Sequence, residues 1–211
     1  MMFEMLEISK SFGGIKVLQG VNLTIEKGER IGLSGGNGAG KSTLLNIATG
    51  FISADLGKIF FDGNEISKLP AWKFPRLGIR RSFQDTRMHP TLTIKEQFFV
   101  KKHIVRDNMD LVRDAGLLPF LDLFPIDVPL PVLRKVEVVR ALLSRPKLIC
   151  LDEPSAGFST EELSEFAIFL KRFVCKNTSL IIVEHRLDLI KEVADTTYEL
   201  VSGVATKWQP K

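Results

Sequence analysis

The sequence predicts an α/β fold, a mostly parallel core sheet covered by helices, with an antiparallel β part at the N-terminal side. Three observations carry this expectation. A glycine-rich loop, Gly35 to Gly40, lies between a short apolar run and a helical pattern. Two apolar runs, Leu148 to Leu151 and Leu180 to Val183, flank a helical segment and make a strand–helix–strand unit. The first of these runs ends in Asp152 and Glu153, which puts two carboxylates at the carboxyl edge of the sheet.

The elements follow in chain order. Phe3 to Ile8 and Val21 to Ile25 read as strands, and Glu26 to Glu29 as the turn into a third, Arg30 to Ser34. Lys41 to Thr49 reads as a helix with Leu44, Leu45 and Ala48 on one buried face, and Gly50 ends it. Lys58 to Phe61 reads as a strand closed by an Asp62-Gly63 hairpin turn. After Gln84 the texture becomes helical. Thr93 to His103 opens with a Thr93/Glu96 capping box, and Asn108 to Leu118 is a second helix. The prolines between 119 and 131 forbid one long helix there. Val132, Val136, Val139 and Leu143 recur at three- and four-residue steps, so this is an amphipathic helix with Pro131 near its first turn. Ser159 and Glu162 form a second capping box, before a helix over Glu161 to Phe173. Val204 to Lys211 reads as a short tail.

Composition narrows the function classes. The 211 residues are 45% hydrophobic and 26% charged, an ordinary globular balance. No apolar run approaches the ~18 residues of a membrane helix, so a membrane role is expected to come through a partner. Met1 to Glu4 carries no signal-peptide pattern. Cys150 and Cys175 have no metal or redox spacing, and Cys150 sits in an apolar run, so a reduced cytosolic setting is expected. The net charge of +4 is spread over Arg80-Arg81, Lys101-Lys102, Arg134-Lys135 and Lys171-Arg172. These pairs read mostly as solvated faces, and no nucleic-acid partner is expected.

The chemistry is concentrated in two places. Gly35-Gly36-Asn37-Gly38-Ala39-Gly40-Lys41-Ser42 fits the phosphate-loop pattern G-x-x-x-x-G-K-S/T, and Thr43 follows it into the helix. Its glycines let successive backbone N–H groups face an anion, and the helix N-terminus adds positive partial charge. Lys41 supplies a cation for the outer phosphates and Ser42 an oxygen for Mg²⁺. Asp152 is the second expected Mg²⁺ group, and Glu153 would polarise an attacking water. ATP and Mg²⁺ are therefore the expected ligands. A GTPase is disfavoured because no N-K-x-D motif is present.

The order of the Lys41 loop, Gln84, Asp152-Glu153 and His185 resembles that of ABC ATPases. Gly78-Ile79-Arg80-Arg81-Ser82-Phe83-Gln84 and Val183-Glu184-His185 look like the ATP-binding subunits of branched-chain amino-acid importers. The resemblance covers roughly residues 3–203. It implies that Phe12 stacks on adenine and that Gln84 senses Mg²⁺ and water and links to the transmembrane subunit. It implies that His185 contacts the γ-phosphate. It also implies a P-loop core over 1–84 and 143–211, with a reduced helical subdomain over 85–142. The implied partners are transmembrane permease subunits and a second ATP-binding subunit, at the inner face of the cell membrane. One place departs from the family. Where the signature LSGGQ belongs, this chain has Val128-Pro129-Leu130-Pro131-Val132. Proline lacks the N–H that glycine offers a phosphate, and Pro129 stands in place of the signature serine. The expectation is a heterodimer, in which a partner supplies the intact signature and the isolated chain hydrolyses ATP poorly. The alternative is a regulatory or structural subunit that binds ATP with little hydrolysis. Ser159 also stands where the family usually has Asp or Asn.

Overall fold

The structure, a computed structural model, describes residues 1–82, 87–98, 109–174 and 178–208. The chain opens with β1 (Phe3–Phe12) and β2 (Ile15–Ile25), then β3 (Arg30–Ser34), the glycine-rich loop and α1 (Lys41–Ala48). β4 (Leu56–Phe61), β5 (Asn64–Glu65), α2 (Phe74–Leu77) and β6 (Ile79–Arg81) follow. A helical stretch carries α3 (Ile94–Gln97), α4 (Met109–Asp114) and α5 (Leu130–Leu142). The chain then runs through β7 (Leu148–Asp152), α6 (Thr160–Phe173), β8 (Ser179–Val183), α7 (Leu187–Val193), β9 (Thr196–Val201) and β10 (Val204–Trp208).

Among the described residues the strands make two sheets. One is antiparallel, in the order β2-β1-β4-β5; the other runs β10-β9-β3-β8-β7-β6 and is parallel except for β10. The parallel arrangement follows from its crossovers, since α6 joins β7 to β8 and α7 joins β8 to β9. All residues of β7 and β8 are buried, the state of a parallel strand covered on both faces. Their side chains alternate between two cores. Ile149, Leu151, Leu180 and Ile182 join Val136 and Val139 of α5, Phe166 and Leu170 of α6 and Leu189 of α7. Leu148, Cys150, Ile181 and Val183 join Leu44 and Ile47 of α1 and Met5 and Phe61 of the antiparallel sheet.

Several expected elements form with shifted bounds. The strand expected over 3–8 extends to Phe12, and that over 21–25 begins at Ile15. Both capping boxes are present. Ser159 Oγ accepts from the Glu162 amide at 3.2 Å, and Glu162 Oε2 accepts from the Ser159 amide at 2.8 Å. Thr93 and Glu96 make the same reciprocal pair at the head of α3, which ends at Gln97 with Phe98 as its C-cap; residues 99–108 of the expected helices lie outside the described residues. Between 118 and 127 the prolines leave only 3-10 turns, at Leu118–Phe120 and Pro125–Asp127.

One expectation fails and one needs refinement. The C-terminal segment is not a tail, because Val204 to Trp208 pairs antiparallel with β9 across a Ser202-Gly203 turn. That turn is anchored to β2: the Gln19 amide donates to the Gly203 carbonyl and Gln19 Nε2 to the Ser202 carbonyl, both at 2.9 Å. The basic pairs are also not all solvated. Arg81 and Arg134 are buried, because each meets a buried carboxylate, Asp152 and Glu137 respectively.

Candidate nucleotide site

The site forms at the carboxyl ends of β3, β7 and β8, where the loops leave the sheet. Gly35 leaves β3 at φ 145°, and a Cβ there would lie 2.4 Å from the Leu200 carbonyl oxygen. Gly40 caps α1 at φ 103°, and a Cβ there would meet the Val17 carbonyl oxygen at 2.9 Å. Both positions therefore need glycine, for backbone conformation and for space. The loop surrounds an open cleft of about 720 Å³ lined by Val17, the run 37–43, Glu153 and His185.

Four polar side chains define the chemistry. Lys41 is buried, and its Nζ donates to the carbonyls of Gly35 at 2.8 Å and Gly36 at 3.0 Å. Burial lowers its pKa, and the nearby charges of Glu153 and Asp152 oppose that shift. Asp152 ends β7 and is held by Arg81. Burial raises its pKa against the opposing charge and hydrogen bond of Arg81. Asp152 Oδ1 is buried and makes no hydrogen bond. An orphan carboxylate oxygen of this kind fits a hard cation. Among the described residues no cluster of three His, Cys, Asp or Glu could hold a metal by itself. A cation here would also need the Ser42 hydroxyl and phosphate oxygens. Glu153 adopts φ 49°, a strained conformation for a residue with a Cβ. Its Oε1 lies 2.9 Å from His185 Nε2. Strain of about 1 kcal/mol at a cleft-lining acid is typical of a functional position.

The loop after β8 is tied to the loop after β7. The Glu184 carboxylate, buried, accepts from the Ser155 amide at 2.9 Å. On the other side of His185, Arg186 Nη1 donates to the Phe158 carbonyl at 3.0 Å. Desolvation raises the pKa of Glu184, and its bonds with Ser155 oppose the rise.

Residues 18–156 match the family described as ABC transporter. The chain belongs to the ABC transporter family. The probable branched-chain amino acid transport ATP-binding protein LivG of Methanocaldococcus jannaschii is 30% identical, over 93% of this chain and 84% of that protein. The LivG protein of Archaeoglobus fulgidus is 33% identical over the same shares. The ribose import ATP-binding protein RbsA of Streptococcus agalactiae is 31% identical over 97% of this chain and 44% of its own length. Among solved structures, a nucleotide-free ATP-binding cassette from an ABC transporter superposes with TM-score 0.90 at 25% identity, covering 100% of this chain and 92% of that one. An ATP-binding cassette in its ADP conformation superposes with TM-score 0.88 at 27% identity, covering 99% and 91%.

In this ABC protein the structure brings together Asn37 to Thr43, Glu153 and His185 around one cleft, with Asp152 buried at the strand end beside them. Phe12 is 47% exposed at the β1–β2 hairpin, with Lys10 Nζ 5.4 Å from its ring centroid, and it does not line the cleft. Gln84 lies outside the described residues. Pro129 is the N-cap of α5 and makes no side-chain cap, and Pro131 occupies the first turn. The N-cap and the first turn thus each lack one N–H, those of Pro129 and Pro131. Sequence reading missed Val17, which lines the cleft from β2, and the hold of Arg81 on Asp152. Two basic residues in a row gave no sign of which was buried. Pairing of β6 with β7, which sets Arg81 opposite Cys150, supplies that information.

Proposed function

We propose that this chain is the ATP-binding subunit of an importer-type ABC transporter, hydrolysing ATP in a cleft completed by a second ATP-binding subunit. The observation that carries the reading is the convergence of the 37–43 loop, Glu153 and His185 on one cleft at the sheet edge. The names of the relatives support the importer class, since they are transport and import proteins.

The residues divide the work. Lys41 exchanges its two loop carbonyls for the β- and γ-phosphate oxygens of ATP, which compete well for an ammonium group. The amides of 37–43 and the head of α1 neutralise the remaining charge. Ser42, Asp152 and Gln84 would hold Mg²⁺. When bound, that ion offsets phosphate charge during transfer. Glu153 orients and polarises a water, and His185, already 2.9 Å from it, fixes the carboxylate and faces the γ-phosphate. The exposed ring of Phe12 stacks on adenine. Residues 1–84 and 143–211 act as the ATPase core, and 85–142 as a reduced helical subdomain that meets the permease. Among the described residues no helix is long and apolar enough to cross a membrane. In this reading, attachment to the inner face runs through permease subunits. The proline-bearing first turn of α5 supports a heterodimer, with the intact signature on the partner.

Replacing Lys41 by Ala tests the reading. ATP affinity should fall by roughly 2–3 kcal/mol, the scale of a charge-assisted contact. Equal ATP affinity in titrations of a correctly folded K41A protein would overturn the assignment of this cleft.

A further inference from the structure

A buried arginine joins the strand of the acids to the helix of the phosphate loop. Arg81 Nη2 donates to Asp152 Oδ2 at 2.8 Å. Its Nη1 donates to Asn46 Oδ1 in α1, and to Thr49 Oγ1 at the helix end at 3.3 Å. The two side chains of the ion pair are 7% and 3% exposed. The ring of Phe51 covers the guanidinium at 5.6 Å. Burying such a pair costs desolvation, and apolar side chains would brace a strand against a helix at least as well. What the pair adds is orientation. It engages Oδ2 of Asp152 and leaves Oδ1 buried without a hydrogen-bond partner. A carboxylate fixed through one oxygen presents the other in a fixed direction.

We infer that Arg81 is a positioning residue that orients Asp152 so that Oδ1 is offered to the divalent cation of bound nucleotide, with Asn46 and Thr49 holding the guanidinium in that pose. The inference rests on the reading of Asp152 as a cation ligand and of 35–43 as the nucleotide loop. It adds a reason for the link to α1. That helix begins with Lys41 and Ser42, so one side chain registers the hydroxyl at the helix head against the carboxylate at the end of β7. Lysine at position 81 would keep the charge but could not reach the carboxylate and both α1 oxygens with one planar fork.

The test uses the full chain and follows ATP binding by calorimetry, first in EDTA and then over a Mg²⁺ series, with Mn²⁺ binding read separately by electron paramagnetic resonance. Arg81→Lys, Arg81→Met and Asn46→Ala are compared with wild type. ATP affinity in EDTA should stay within about twofold, because the loop and Lys41 are untouched. The Mg²⁺ and Mn²⁺ half-saturation concentrations should rise about tenfold or more in both Arg81 variants and severalfold in Asn46→Ala, the scale of losing an outer support of a metal ligand. If Arg81→Met does not fold, Arg81→Lys and Asn46→Ala decide the question. Unchanged Mg²⁺ and Mn²⁺ dependence in the folded variants, beside a wild type that binds Mg·ATP, would overturn this inference alone. A wild-type chain that does not bind ATP at all would overturn the nucleotide reading beneath it.

Discussion

Cys150 sits two residues before Asp152, fully buried against α1 and the antiparallel sheet. Burial pushes its thiol from 9.0 up to about 12; Arg81 opposes the shift and Asp152 adds to it. A folded pKa raised above the unfolded one gives stability that is complete below about pH 9 and is lost as pH rises towards 12. The unfolded chain releases a proton in that window and the native chain does not. Wild type should therefore lose thermal stability between pH 9 and 11 more steeply than Cys150→Ala, which has no thiol to ionise. Parallel melting curves for the two proteins across that range would refute the assignment. At the residue scale, the placement of the glycine-rich loop before α1 and of Asp152-Glu153 at the end of β7 was legible because each pattern is continuous in sequence. The hold of Arg81 on Asp152 was not, because its partners lie 35 and 71 positions away and meet only through strand pairing. Arg134 beside Glu137 shows a related limit. A three-residue step on a helix marks a neighbour, not whether the pair faces solvent or core.

At the element scale, α6 shows how a local signal survives into the fold. Ser159 and Glu162 satisfy each other's backbone N–H groups, Glu161 and Glu162 lie at the helix head, and Lys171 and Arg172 at its tail. Ser159→Ala removes the cap and should cost about 1 kcal/mol in urea unfolding, whereas Ser159→Asp should cost little. Equal midpoints for wild type and Ser159→Ala would show that the cap does not contribute. Elements of this kind were legible because their stop and start signals are side-chain chemistry. β6, with three residues, is too short to show a period in the sequence. β9 escaped because its first three residues are all buried, which hides the alternation of a strand. The Ser202-Gly203 pair between β9 and β10 was the available hairpin signal, and reading it would have turned the expected tail into a strand.

At the scale of the whole molecule, the parts kept and the part altered point in different directions. Lys41, Asp152, Glu153 and His185 are in place, while the head of α5 carries Pro129 and Pro131. In the arrangement proposed above, a symmetric pair would set those prolines against both nucleotides. The pure chain should therefore show little steady-state hydrolysis even at high concentration, and turnover should appear when an ATP-binding subunit with an intact signature is added. Vigorous cooperative hydrolysis by the pure chain would contradict the proposed heterodimer. The two-sided burial of β7 and β8 has a separate consequence. Because alternate side chains of the same two strands belong to both cores, neither core can open while the other keeps its strands. Subglobal opening in proteins runs along seams where such sharing is absent. Here the strands that deliver Asp152 and His185 lie inside the shared unit, so amide exchange there is expected to follow global unfolding. The acid and the imidazole are thus mounted at the ends of strands that both cores share, and the compliance that a transport cycle needs is expected in the loops that leave them.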